Sequence, residues 1–162
     1  MQFQLTYDAM EDRLLLRVNA GDKGILGFWL TRRCCRILWN ILQQRMDASL
    51  IEQHMPQDAS ASSWMKNSRS HQASAELTMQ EEEQPAELTS APLLVTSIRH
   101  GTHEDRHIIG LFDQKEHGEN FLLNDGLLYG LANVLQQVTE RSQWDLALSF
   151  GESLMPGTER LQ

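Results

Sequence analysis

The sequence has little of what secreted or membrane-spanning proteins usually display. Its 162 residues include two cysteines, Cys34 and Cys35, which are adjacent. Adjacent cysteines cannot link distant segments, so a disulfide-stabilised secreted scaffold is excluded. The chain has no apolar run of about 18 residues, the length that a membrane helix needs, and residues 1–5 carry no basic leader. These absences predict a soluble, cytoplasmic protein.

Sequence signatures of catalysis are also missing. No glycine-rich phosphate loop precedes a helix, and no Gly-x-Ser-x-Gly elbow is present. The cysteines fall within an apolar helical stripe, where a thiol is not activated. The acidic pairs Glu11/Asp12 and Glu104/Asp105 are explained as turn residues that accept hydrogen bonds from backbone amides. The sequence therefore predicts a protein that is not an enzyme and has no cofactor.

The most informative feature that is present is an internal similarity at an offset of 93 residues. Residues 1–46 align with residues 94–139 without a gap and share ten identities, among them Phe28 with Phe121 and Leu38 with Leu131. Similarity at one fixed offset is typical of a duplicated structural unit, and two such units can pack as an internal pair.

Each copy predicts three strands followed by a helix. Alternating apolar residues predict strands over residues 2–8 and 13–18, and a short apolar run predicts a third strand over 25–30. Thr31 and its counterpart Asn124 are preferred helix N-caps, and apolar residues follow each of them at helical spacing. Alternation over residues 144–150 predicts one further strand at the end of the second copy.

The sequence thus predicts an α+β fold. An internal duplication of a β-β-β-α unit packs as a pseudo-twofold pair, with one or two antiparallel sheets, two helices and a C-terminal strand. The predicted domains are a first copy over 1–55, a disordered acidic and serine-rich linker over 56–92, a second copy with the final strand over 93–150, and a flexible tail over 151–162.

Positive charge is concentrated in the first copy, although the net charge of the chain is -8. Arg13 and Arg17 share the polar face of the second predicted strand, while Arg32, Arg33 and Arg36 crowd the start of the helix. Cations at a helix N-terminus oppose the helix dipole unless an anion compensates. Phosphate, the acidic run at residues 81–83, the acidic second copy or a protein partner would each provide one.

Two further groups of residues are candidate sites. Trp64 interrupts the polar linker, either as a docking element for a partner or, in the simpler interpretation, as an incidental aromatic residue or part of a short helix that rests on the body. His100, His103 and His107 surround one predicted turn and are residues of a kind that binds zinc. The first copy has Tyr7 in place of His100 and Leu14 in place of His107, and two ligands do not close a metal site, so no metal is assigned.

The leading interpretation is a non-catalytic interaction or assembly module that docks on a protein partner, including a second copy of itself, through the arginines or the linker. Metal binding by the histidines is one alternative. The other is a single-strand nucleic-acid binder, because the order of elements resembles the Whirly and PUR-repeat families. The acidic chain disfavours nucleic acid. Residues 11–17 (EDRLLLR) and 29–33 (WLTRR) also resemble a pattern in small bacterial proteins of unknown function, which implies no activity.

Overall fold

The computed structural model describes residues 1–53, 59–77 and 87–150. In these ranges the protein is α+β, with seven strands, three α-helices and a short 3-10 turn at Gly21–Lys23. The strands are β1 (Gln2–Asp8), β2 (Arg13–Asn19), β3 (Ile25–Leu30), β4 (Leu93–Leu94), β5 (Ser97–His103), β6 (Arg106–Phe112) and β7 (Gly118–Leu123). The helices are α1 (Arg32–Glu52), α2 (Ala59–Leu77) and α3 (Asp125–Arg141). The predicted fold class is confirmed.

The strands form two sheets. The first has the order β1-β2-β3-β4, with β4 parallel to β3 and the other neighbours antiparallel, and the second is the antiparallel meander β5-β6-β7. Alternation decides which side of the first sheet is buried: Leu14, Leu16 and Val18 of β2 are fully buried on one face. Each meander is followed by a helix, so both halves have the predicted order of elements.

Helices α1 and α3 begin where the sequence predicts. The Thr31 side chain accepts a hydrogen bond from the amide of Cys34 at 3.2 Å, and Asn124 accepts one from the amide of Leu127 at 2.9 Å. Both caps satisfy amides that the first helical turn leaves without an acceptor. Cys34 and Cys35 follow on the buried side of α1, and burial raises the pKa of the Cys34 thiol to about 12.

The buried apolar residues of the two halves form one core cluster. At its centre the rings of Phe28 and Phe121 pack edge to face, with centroids 5.6 Å apart and an interplanar angle of 87°. These two residues are equivalent at the offset of 93, and contact between equivalent residues is what an axis of pseudo-twofold symmetry produces.

A small apolar cavity between the sheets is also lined by equivalent residues of the two halves. It is lined by Leu16 together with its equivalent Ile109, and by Leu38 together with its equivalent Leu131. Corresponding positions of the two halves therefore face the same space. Descent of the halves from one duplicated segment stays a prediction.

The internal offset is constant from the second strand of each half onward. Leu14 lies opposite Leu30 in the β2–β3 pair, and His107 lies opposite Leu123 in the β6–β7 pair, which is the same register after 93 residues. Strands, helix starts and caps follow the same spacing. The gap-free alignment is thus matched by the structure over most of the unit.

The first hairpin of each half departs from that alignment. Asp8 pairs with Arg13 across the β1–β2 hairpin, whereas His103 pairs with Arg106 across the shorter β5–β6 turn. Strand β5 is therefore displaced by two residues relative to β1. Because strand side chains alternate with a period of two, this shift keeps the same face toward the core.

Two expectations about the connecting and final segments are corrected. No strand is present at residues 144–150, which are irregular although Trp144, Leu148 and Phe150 are buried. The predicted disordered linker contains α2, so the described ranges hold three helices where two were expected. Residues 54–58, 78–86 and 151–162, including the predicted tail, lie outside the described residues.

The last part of the predicted linker is also structured where it is described. Thr89 forms two hydrogen bonds with the backbone of Ile25. The Thr89 amide donates to the Ile25 carbonyl, and the Thr89 hydroxyl accepts from the Ile25 amide. A Cβ added to Gly27 would lie 2.8 Å from Leu88, so this segment crosses the outer face of the first sheet. No helix in the described ranges is long and apolar enough to span a membrane.

Candidate functional site

The two strand arginines are engaged within the first sheet. Arg13 lies opposite Asp8 across the hairpin and 3.8 Å from a carboxylate oxygen of Glu11. Arg17 donates to the Thr6 hydroxyl at 3.0 Å, and its Nε is buried without a hydrogen-bond partner. Both strand arginines are half-buried, and 36% of the Arg13 side chain is exposed, so they are less accessible than Arg33 and Arg36.

Arg32 is also used within the chain. It donates to Asp12 Oδ2 at 2.9 Å, and its guanidinium lies 5.2 Å from the ring centroid of Trp144. The other oxygen of Asp12 accepts from the Trp144 indole and from the Tyr7 hydroxyl, each at 2.9 Å. The hydrogen bonds from Trp144 and Tyr7 lower the pKa of Asp12, with a further contribution from Arg32. Arg32 thus finds its anion in the first hairpin.

This cluster explains why the final described segment is ordered without being a strand. Trp144 is 4% exposed and packs edge to face with Tyr7, at a centroid distance of 6.0 Å. Six residues later, Phe150 packs on Trp39 of α1 at 5.0 Å. Two aromatic anchors therefore hold residues 144–150 on the first half in place of a ladder of backbone hydrogen bonds.

Arg33 and Arg36 remain exposed on the first turns of α1. Within the described ranges neither forms an ion pair or a side-chain hydrogen bond. Ile37, beside them on the same helix face, is 42% exposed. We call Arg33, Arg36 and Ile37 the α1 patch. Within the part of the chain that the structure describes, it combines two cations that lack counterions with one apolar side chain, next to a helix N-terminus that itself favours anions.

Trp64 is the most exposed aromatic side chain in the described ranges, with 70% of its surface accessible. It lies on α2, which packs mainly on α3 and is anchored by two cations. Lys66 contacts Asp47 of α1, and Arg69 donates to Gln53 at the end of α1. The side of α2 that carries Trp64 therefore faces solvent.

The three histidines do not come together. His100 and His103 are exposed on β5, and alternation places them on opposite faces of the sheet. His107 is buried, and its partner across the hairpin is Thr102 instead of His100. In the part of the chain that the structure describes, no group of three or more His, Cys, Asp or Glu side chains is arranged to hold a metal ion.

His107 belongs to a different constellation, which we call the Asp125 network. Its Nε2 lies 2.8 Å from Asp125 Oδ1, while Asp125 Oδ2 accepts from Ser49 Oγ and from Gln53 Nε2, each at 2.9 Å. Gln53 in turn accepts from Arg69 at 2.8 Å. Desolvation acts to raise the pKa of Asp125, but the hydrogen bonds from His107 and Ser49 outweigh it and lower this pKa. The network joins the second sheet to all three helices.

The Asp125 network contains the residue types of a nucleophilic triad but not its order. Catalysis by a serine requires the imidazole between the hydroxyl and the carboxylate, so that it can take the hydroxyl proton. Here the carboxylate lies between Ser49 and His107, and Ser49 is only 3% exposed. This arrangement holds helices in place and does not activate the hydroxyl.

Sequence reasoning missed Asp125 as a partner for His107. A signal was present, because a histidine stands on the apolar face of β6 where the first half has Leu14, and a carboxylate stands at the first position of the following helix. Buried polar groups require hydrogen-bond partners, so the sequence could have suggested that the Asp125 carboxylate bonds the His107 imidazole.

Comparison with protein-family models, with curated proteins and with solved structures finds no match to this chain.

Proposed function

We propose that this protein is a non-catalytic protein-binding module that docks an acidic segment of a partner protein on the α1 patch. The observation that carries the proposal is the division among the helix arginines. Arg32 is neutralised by Asp12, whereas Arg33 and Arg36 are exposed without a counterion in the described ranges. Two such cations beside an exposed isoleucine favour a partner that offers carboxylates and one apolar side chain.

The electrostatic setting supports this choice of partner. The chain carries a net charge of -8, so an acidic partner is repelled by most of its surface and attracted to a local cationic patch. The α1 patch also lies at the positive end of the helix dipole. These two effects orient the partner, and burial of Ile37 adds affinity.

A charge-reversal experiment tests the proposal. Arg33→Glu/Arg36→Glu is compared with Arg106→Glu/Lys115→Glu, which makes the same change of charge at exposed positions of the second half. The helix dipole favours glutamate at position 33, in the first turn of α1, and both positions are exposed, so the first variant stays folded. We expect partner recovery from the native host to fall at least about tenfold for the first variant alone, since like charges in contact cost several kcal/mol. Equal recovery by both variants contradicts the docking surface.

The same variants distinguish a protein partner from single-stranded nucleic acid, which is the alternative ligand. Single-strand binders stack bases on exposed aromatic side chains of a sheet. In the described ranges the exposed aromatic side chains are Tyr7, whose ring packs against Trp144, and Trp64 on α2. Fluorescence anisotropy with a labelled single-stranded oligonucleotide is therefore expected to show no binding at physiological salt. Salt-sensitive binding that Arg33→Glu/Arg36→Glu abolishes would favour nucleic acid over a protein partner.

A further inference from the structure

The outer edge of β3 is covered by a later segment of the chain. Strand β4 pairs with it in parallel, and the Val95 amide donates to the Trp29 carbonyl at 3.0 Å. Before β4, the chain runs across the outer face of the sheet, where a Cβ on Gly27 would lie 3.0 Å from Pro92. We call residues 87–95 the strap. An edge strand presents unpaired backbone groups, and the strap satisfies part of those on β3.

Strand β7 is the equivalent of β3. Because both strands pair with their inner neighbours in the same register, the backbone groups that point outward on β7 belong to Gly118, Asn120 and Leu122, which we call the β7 edge. On β3 the equivalent residues Ile25 and Trp29 form hydrogen bonds with the strap through such groups. In the described ranges no strand and no backbone hydrogen bond from another segment is found at the β7 edge.

The exposure of the neighbouring side chains follows the same division. Leu15 and Trp29 lie opposite each other on the outer face of the first sheet, where Leu15 is 7% exposed and Trp29 is half-buried. Their equivalents Ile108 and Leu122 are also paired, but Ile108 is half-buried and Leu122 is 39% exposed. In the part of the chain that the structure describes, the second sheet thus offers an uncovered apolar pair beside a row of backbone groups. A strand ligand uses both features.

We infer that the β7 edge binds an extended segment of a partner protein, which adds to the second sheet as a parallel strand. The strap shows the chemistry that such a segment requires. It carries consecutive apolar residues, as Leu93, Leu94 and Val95 are, and the third of them has a free backbone amide that donates to the Leu122 carbonyl.

The direction of the strap favours a partner segment over a second copy of β7. The strap runs parallel to β3, whereas two copies of one edge in a twofold dimer pair antiparallel. The β7 edge belongs to the second half and the α1 patch to the first, so failure of this inference would leave the proposed function standing.

The test uses the full chain, with a synthetic peptide of residues 87–96 as the probe. NMR follows the backbone amides at about 1 mM peptide, a concentration that half-fills a site with a Kd of that order. We expect the signals of the β7 edge to shift and the Trp29 signal to stay in place, because the chain's own strap already covers β3. No shift at the β7 edge, or shifts confined to β3, overturns the inference.

Two matched controls assign the binding to backbone pairing. A peptide carrying Val95→Pro stays apolar but lacks the amide that donates to Leu122, so it should cause no shift. In the protein, Asn120→Pro removes an outward N–H, a change that an edge strand tolerates, and should abolish the shift, whereas Asn120→Ala should keep it. Equal shifts with either proline variant and its counterpart overturn the inference, and the peptide pair decides if Asn120→Pro unfolds.

Hydrogen exchange without peptide separates the other occupants. We expect the amides of the β7 edge to exchange freely at every protein concentration. Slow exchange at every concentration means that another segment of this chain covers the edge, and protection that rises with protein concentration means that a second copy does. Either result overturns the inference.

Discussion

Conservative substitutions of Lys66 and Asp47 should have unequal effects on the docking of α2. Asp47→Asn removes the counterion of a lysine side chain that is 7% exposed, whereas Lys66→Met removes the buried charge itself and keeps an apolar stem. Breaking a buried ion pair from one side leaves an uncompensated charge, while replacing the charged group by an apolar one of similar volume is often neutral.

The expected loss of α2 docking free energy follows from the exposure of the Lys66 and Asp47 side chains. Loss of one member of a fully buried pair costs about 3–5 kcal/mol. The Asp47 side chain is 44% exposed, so water replaces part of the lost interaction, and Gln43 still accepts one ammonium hydrogen. We therefore expect Asp47→Asn to weaken α2 docking by about 1–3 kcal/mol and Lys66→Met to change it by less than about 1 kcal/mol.

Hydrogen exchange of the α2 amides, read by mass spectrometry, measures this difference. An effect of about 1–3 kcal/mol corresponds to exchange that is roughly 5- to 150-fold faster in Asp47→Asn. Asp105→Asn, a neutralisation in the exposed turn between β5 and β6, is the matched control and should leave α2 unchanged. If Lys66→Met accelerates exchange as much as Asp47→Asn, the reasoning about the buried charge is wrong.

Three further predictions concern the buried cysteines, the Asp125 network and two strand glycines. Cys34 and Cys35 should not react with a thiol reagent at pH 8 until the protein unfolds, because burial raises the pKa of both thiols; reaction in the native state would contradict their placement. Asp125→Asn should have a lower free energy of unfolding than wild type at pH 7. Urea titrations should show that this difference in unfolding free energy narrows as pH falls below about 4, because a carboxyl group with a lowered pKa stabilises the fold only above that range. A difference that does not depend on pH would refute this. Gly118→Ala should lower the free energy of unfolding by more than about 2 kcal/mol, because the added Cβ would lie 1.9 Å from a carbonyl oxygen of β6. The control is Gly101→Ala, whose Cβ meets nothing within 4 Å, and it should change this free energy by less than about 0.5 kcal/mol. Equal melting temperatures of the two variants would contradict the prediction.

Local signals explain how much of the fold was predictable. The caps at Thr31 and Asn124 and the alternation of β2 depend on neighbouring residues alone, and the structure has them where the sequence indicates. Alternation over residues 144–150 correctly marks buried side chains but not strand pairing. Burial there comes from Trp144 bonded to Asp12, a contact between residues 132 positions apart that no local pattern contains.

The sequence suggested at most a short helix around Trp64, and the full 19 residues of α2 were missed for a related reason. Its serine- and alanine-rich sequence lacks the apolar periodicity that predicts a docked helix, and its contacts depend on where Asp47 and Gln53 are placed by α1. The same limit applies to the arginines. The sequence shows a run of cations, but only the turn that carries Asp12 determines that Arg32 is neutralised and that Arg33 is not.

The central claim is that equivalent residues of the two halves meet in one shared core. NMR on protein with labelled phenylalanine rings tests it most directly, because rings packed edge to face at 5.6 Å bring protons of Phe28 and Phe121 close together. We predict a nuclear Overhauser cross-peak between these two rings that disappears in Phe28→Leu. Absence of this cross-peak, with each ring contacting only protons of its own half, would contradict the account.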